Sequence, residues 1–174
     1  LPLLKTYIMS CEALQTITKS CLNNTGGIRK IWLNEQENVT AAVVTGWEIT
    51  TLTSSPIYTE FEINRNTGNY TEDSAIDLIN GSTFVTQTIT LMFNRRDKAK
   101  SEAINVLGAG QQYLSAIIQD ANEVYWYFEN LQLTATGEGS GTARADGSKY
   151  SVTLLAESEH LAYEITTGQV TANT

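Results

Sequence analysis

Between Thr83 and Phe93 the side chains alternate strictly, with Val85, Ile89, Leu91 and Phe93 on one side of an extended chain and Phe84, Thr86, Thr88 and Thr90 on the other. A period of two is what a strand with one buried face requires, and a helix cannot use it. The same rhythm recurs. Ile28, Lys30 and Trp32 alternate with Arg29, Ile31 and Leu33; Thr59, Phe61 and Ile63 alternate with Tyr58, Glu60 and Glu62 within Ile57 to Asn64; and Trp126 and Phe128 alternate with Tyr125 and Tyr127. Turn-forming residues separate these runs, as at Gly46, at Pro56 and at Asp120-Ala121-Asn122-Glu123.

Further strands are expected at Val39 to Val44, Trp47 to Leu52, Tyr113 to Gln119, Leu131 to Thr136 and Tyr150 to Glu157, with a last edge strand over His160 to Ile165. One helix stands out. It opens at Asn94-Arg95-Arg96-Asp97, runs over about 96–107 and stops at Gly108-Ala109-Gly110, with Ala99, Ala103, Val106 and Leu107 on one stripe. A shorter helix is predicted from Cys11 to Leu22, capped by Ser10, with Leu14, Ile17 and Cys21 at helical spacing. The expected fold is therefore mainly β: an antiparallel β-sandwich or partly closed barrel of about nine strands with one flanking α-helix.

The polar stretch Asn66 to Ser82 interrupts the alternation and holds an apolar island, Ala75-Ile76-Asp77-Leu78-Ile79. It reads as an extended insertion loop at the tip of a long hairpin, and loops of that length usually carry a task. Gly137 to Lys149 reads as a flexible tip and 166–174 as a flexible tail, while 1–9 reads as an N-terminal arm or extension ahead of Met9-Ser10-Cys11-Glu12. Leu1 to Ile8 is too short to span a bilayer, so no membrane partner is expected. One domain over 1–174 is expected, since a chain of this length buries roughly 70% of its unfolded surface.

Charged residues make up 17% of the 174 residues, below the roughly 25% of an average domain. The net charge of −8 argues against a groove that grips nucleic acid, which needs clustered cations to release counterions. Catalytic signals are sparse. His160 is the single histidine, no nucleophile motif surrounds it, and Gly137-Glu138-Gly139-Ser140-Gly141 lacks the Lys-Ser/Thr of a phosphate loop. The carboxylate pairs Glu60/Glu62, Glu72/Asp73 and Glu157/Glu159 lack a set of sugar-stacking aromatics around them. Cys11 and Cys21 form no metal motif, and the expected state is two reduced, packed thiols, with a local bridge between them as the alternative. Neither catalytic residues nor cofactors nor metals are expected.

The strand ending Phe61-Glu62-Ile63-Asn64-Arg65-Asn66-Thr67-Gly68, the Asn80-Gly81-Ser82 re-entry into a Thr-rich strand, the helix start Arg95-Arg96-Asp97-Lys98 and the hairpin Asp120-Ala121-Asn122-Glu123-Val124-Tyr125-Trp126-Tyr127 together resemble the tail tube proteins of tailed bacteriophages and the related ring proteins of crAss-like phages. The resemblance covers roughly Ser10 to Ile165. It implies a virion protein assembled in the host cytoplasm, whose copies form rings, usually hexamers, that stack into a channel for double-stranded DNA. It also implies contacts with other tail or neck proteins. In that family the long hairpin insertion touches the adjacent ring, which assigns Ile76, Asp77, Leu78 and Ile79 to inter-ring contact. Glu60, Glu62, Glu157 and Glu159 are the candidates for an acidic channel lining. Other readings are a neck ring or tail terminator, a fibre or carbohydrate-binding adhesion domain, and a small hydrolase using His160.

Overall fold

The computed structural model describes residues 13–174. The expected arm, Cys11 and the first residues of the predicted N-terminal helix lie outside them. In chain order the elements are β1 (Ile28–Glu35), β2 (Val39–Thr45), β3 (Glu48–Ser54), β4 (Thr59–Glu60), β5 (Gly68–Asp77), β6 (Ser82–Asn94), α1 (Lys98–Gly108), β7 (Leu114–Asp120), β8 (Tyr125–Gly137), β9 (Lys149–Ser158), β10 (Tyr163–Ile165) and α2 (Thr167–Asn173).

The strands form two sheets joined through β8. One runs β2-β3-β10-β8-β7-β1-β4, and the other runs β5-β6-β9-β8. Tyr125 to Leu131 lie along β7, whereas Gln132 to Gly137 lie along β9. The change of partner falls at a bulge. Leu114 pairs with Leu131 and Ala116 with Phe128, so Glu129 and Asn130 together oppose Ser115. Asn130 takes the left-handed conformation (φ 56°) that asparagine tolerates better than most side chains. Such a bulge bends a strand and adds twist, which lets one strand serve both sheets and curls them into a half-barrel.

Two apolar cores result. The first lies between the sheets, where Ile31, Leu33, Ile89, Leu91, Ala116, Ile118, Phe128, Leu131, Val152 and Leu154 pack beneath Ile104 and Leu107 of α1. The second lies on the opposite face of β1 and β7, where Trp32, Ile117 and Tyr127 meet Ile49, Leu52, Tyr163 and Val170. With both faces covered, β7 is buried from Leu114 to Gln119.

The mainly β fold with its flanking helix is as expected, and several details differ. The sheet is mixed because β10 runs parallel to β3. That strand is internal, not an edge, since it also pairs with β8. The helical stripe is carried by Ile104 and Leu107, while Val106 is 56% exposed. The stretch read as an insertion loop is itself strand β5, paired with β6 from Gly68–Leu91 to Asp77–Ser82. It lacks an apolar rhythm because its inward positions are Gly68, Tyr70 and Glu72, and only Tyr70 reaches the first core, edge-on to Phe128. Conversely, Ile57 to Asn64 contributes only β4, and Tyr58 is core. The tail forms α2, anchored by Val170 and by Asn173, which donates from Nδ2 to the Leu52 carbonyl and accepts from the Ser54 amide.

Residues 13–26 take no helical conformation. Leu14 and Ile17 have helical spacing but no surface to cover, and both stand fully exposed. A segment this short, with Thr16, Ile17 and Thr18 branched at Cβ, does not hold a helix by itself. Cys21 is exposed and free, in contrast to the expected packed thiol.

Candidate functional site

The outstanding surface feature is the β5–β6 hairpin. Its tip carries Ile76, Leu78 and Ile79 at 67%, 89% and 95% exposure, with Phe84 beside them at 43%. The turn is built by Asp77, whose Oδ1 accepts from the amides of Ile79 (2.9 Å) and Asn80 (3.1 Å) and whose Oδ2 accepts from Asn80 Nδ2 (2.6 Å). Those bonds hold the Asp77 carboxyl below the usual range, because they favour its charged form. Gly81 closes the turn at φ 67°. Asp77 thus shapes the tip, and its three aliphatic neighbours are presented outward.

The outer face of the second sheet is Thr-rich and nearly neutral. Register places Thr71, Thr88 and Leu155 in one cross-strand row, Asn69, Thr90 and Thr153 in the next, and Asp73, Thr86 and Glu157 in the row nearest the tip. Glu157 therefore lies on this face, and Glu159 is exposed just beyond it. Glu60 lies at the β4 margin of the first sheet, 3.6 Å from Lys30 Nζ, and Glu62 is exposed in the connection that follows. The four expected lining residues thus fall on two separate sheets. Glu72 takes a different role: turned inward, it accepts from the Ala162 amide (2.6 Å) and Gln87 Nε2 (2.8 Å), tying β5 to the β9–β10 connection.

The edges of both sheets are open. Among the described residues β5 pairs only with β6, and β2 only with β3. Unpaired strand edges present rows of free donors and acceptors, which other strands can satisfy.

His160 lies in the β9–β10 connection, stacked on Tyr163 (ring centroids 4.2 Å apart), with its Nε2 3.8 Å from Glu129 Oε1. Ser115 is fully buried, and its hydroxyl bonds to that of Tyr58 (2.6 Å) and not to the imidazole. Burial pushes the Tyr58 phenol well above its ordinary range, and the Tyr127 hydroxyl beside it adds to the effect. This polar chain stitches the second core, whose apolar walls leave Ser115 unreachable from solvent. Both faces of the aromatic run on β8 are core: Phe128 is buried in the first and Tyr127 in the second. Trp47, Tyr113 and Phe84 are the exposed aromatics among the described residues, and Trp47 is the most exposed of them. Trp47 sits at φ 67° in the β2–β3 turn, 59% exposed, and leans on Tyr163.

Sequence reasoning located the aliphatic tip, and it missed the extended segment with exposed Leu14, Ile17 and Leu22. The alternation of Thr16 and Thr18 with Ile17 was the available signal. No group of three or more metal-ligating side chains and no helix long and apolar enough to cross a membrane occur among the described residues. Comparisons with protein-family models, curated proteins and solved structures return no match.

Proposed function

We propose that this chain is a structural subunit of a phage virion, whose copies assemble into rings that stack as a tail tube. The observation that carries the reading is the β5–β6 hairpin at the margin of the second sheet, whose aliphatic tip stands uncovered in the single chain. Three exposed aliphatic side chains on one turn gain burial only when a partner covers them, at about 25 cal/mol per Å² removed from water. Open margins at β2 and β5 supply the second requirement, because a closed ring of copies removes edges that a lone chain leaves bare.

The Thr-rich outer face of the second sheet suits a channel wall. A neutral face with Asp73 and Glu157 lets a phosphate backbone slide past without counterion release. Reversing Glu157 to Lys is expected to slow DNA ejection while leaving assembly intact, and an unchanged ejection rate removes this face from the lining.

Negative-stain electron microscopy of the purified chain tests the reading as a whole. Rings or tubes support it, and single rings that never stack favour a neck ring or terminator. A monodisperse monomer that binds glycans through Trp47 would instead establish an adhesion module.

A further inference from the structure

Asn80 is the only asparagine in the chain that precedes a glycine, and the pair Asn80-Gly81 stands in the exposed turn that joins β5 to β6. That order of residues has a chemistry of its own. The main-chain nitrogen that follows an asparagine can attack the side-chain amide carbon, and a glycine, having no Cβ, leaves the approach unobstructed. The surroundings are open as well. A Cβ built on Gly81 meets nothing within 4 Å, and the Gly81 amide makes no hydrogen bond among the described residues that would withhold its nitrogen. The Asn80 side-chain amide is held by one bond, from Nδ2 to Asp77 Oδ2 at 2.6 Å, at an exposed position where water competes for both partners.

Asp146-Gly147 offers a contrast on another loop. Its carboxylate accepts from the Thr142 amide (2.9 Å) and the Ala143 amide (2.8 Å), which favours the charged form. Expelling an oxygen from an ionised carboxylate is far harder than expelling ammonia from a neutral amide, so the two Gly-adjacent sites differ in reactivity.

We propose that Asn80 is a self-modification site, at which the chain converts its own hairpin turn from a neutral amide to a carboxylate by reaction with water. The Gly81 nitrogen gives its proton to hydroxide and forms a bond to Asn80 Cγ; the Cγ–Nδ2 bond breaks, and the nitrogen leaves as ammonia with a proton taken from water. A cyclic imide then joins the two residues. Water opens it at one of its two carbonyls. Opening at Cγ gives aspartate in an unchanged main chain, whereas opening at the main-chain carbonyl gives isoaspartate, whose main chain runs through the side chain and is longer by a methylene.

Either product dismantles the turn. Where Asn80 Nδ2 donated to Asp77, a second carboxylate now faces the first, and like charges repel. In the isoaspartate form the Asp77–Ser82 pair that ends the ladder no longer fits. The Ile79 and Asn80 amides then lose their hold on Asp77 Oδ1, and Leu78 and Ile79 are no longer presented by a fixed turn. The site acts as a clock, because a tip left in water ages and a covered tip is spared. The chemistry goes beyond the assembly reading and does not rest on it.

The test incubates the full chain at mildly alkaline pH over a dilution series and maps its peptides by mass spectrometry. Released ammonia is measured in parallel, and isoaspartate is labelled with a purified isoaspartyl methyltransferase and S-adenosylmethionine. Asn80 is expected to lose its amide before any other asparagine, in proportion to hydroxide, with ammonia and label appearing together and Asp146 unlabelled. Asn80→Gln, whose longer side chain closes a ring far more slowly, is expected to abolish both signals. Hydrogen exchange at the Ile79 amide is expected to quicken in the aged chain. An Asn80 amide that at every dilution outlasts the same residue in a synthetic peptide spanning 74–84 shows that the folded turn withholds it, and overturns the proposal. So does ammonia release that Asn80→Gln leaves unchanged. Unaltered exchange at Ile79 after conversion overturns the opening of the turn.

Discussion

Leu154 illustrates what a single side chain does here. It is fully buried on β9, opposite Ile89 and Leu133, and belongs to the core that joins the two sheets. Leu154→Ala is expected to cost about 3 kcal/mol in stability, read as a lower urea midpoint, because the cavity left between two sheets cannot collapse. Leu78→Ser, at a position 89% exposed, is expected to leave that midpoint unchanged and to weaken assembly. The two variants separate folding from association. Tyr58 offers a pH test. Its phenol is raised by burial, and Tyr70 is pushed up to about 12 by burial, with Asp120 and Glu72 adding to it. For an acid whose folded pKa lies above its unfolded value, stability is fully present below about pH 10 and is lost as pH rises beyond it. Absorbance at the phenolate band should therefore show both tyrosines ionising above the ordinary range, the deeply buried Tyr58 only with unfolding, and Tyr58→Phe should soften the alkaline loss.

At the scale of elements, α1 depends on Asp97, which accepts from the Lys100 amide at 2.8 Å and is pulled below the usual carboxyl range first by the Lys100 side chain. Asp77 and Asp146 are lowered in the same sense by backbone amides. Depressed carboxyls contribute stability that is present above their unfolded pKa of about 4 and disappears as pH falls through the folded value. Thermal midpoints between neutral pH and pH 3 should fall, and Asp97→Asn should flatten that slope. How far each element could be read from the chain follows from what its side chains do. β6 and β9 were legible because each shows one face to a core and one to solvent. β7 was legible as an apolar run, though nothing local reveals that both its faces are covered. β5 was not: its partner is set by the backbone ladder with β6, and its inward positions are Gly68, Tyr70 and Glu72. Nor was α2, since the bonds from Asn173 to Leu52 and Ser54 are long-range contacts that no periodicity encodes. The aliphatic tip was legible as an apolar island in a polar stretch, whereas its mounting at the end of a ten-pair hairpin emerges only from the β5–β6 ladder.

The whole molecule is a curled pair of sheets with a long hairpin, an exposed aliphatic tip and open strand margins at β2 and β5. Each of these features is incomplete in a single copy, and together they favour a subunit whose stable form is an assembly. Sedimentation velocity of the intact chain over a concentration series measures this most directly. The account predicts that the 19.1 kDa chain gives way to ring-sized and longer species as concentration rises. A single species of monomer mass at every concentration would contradict it.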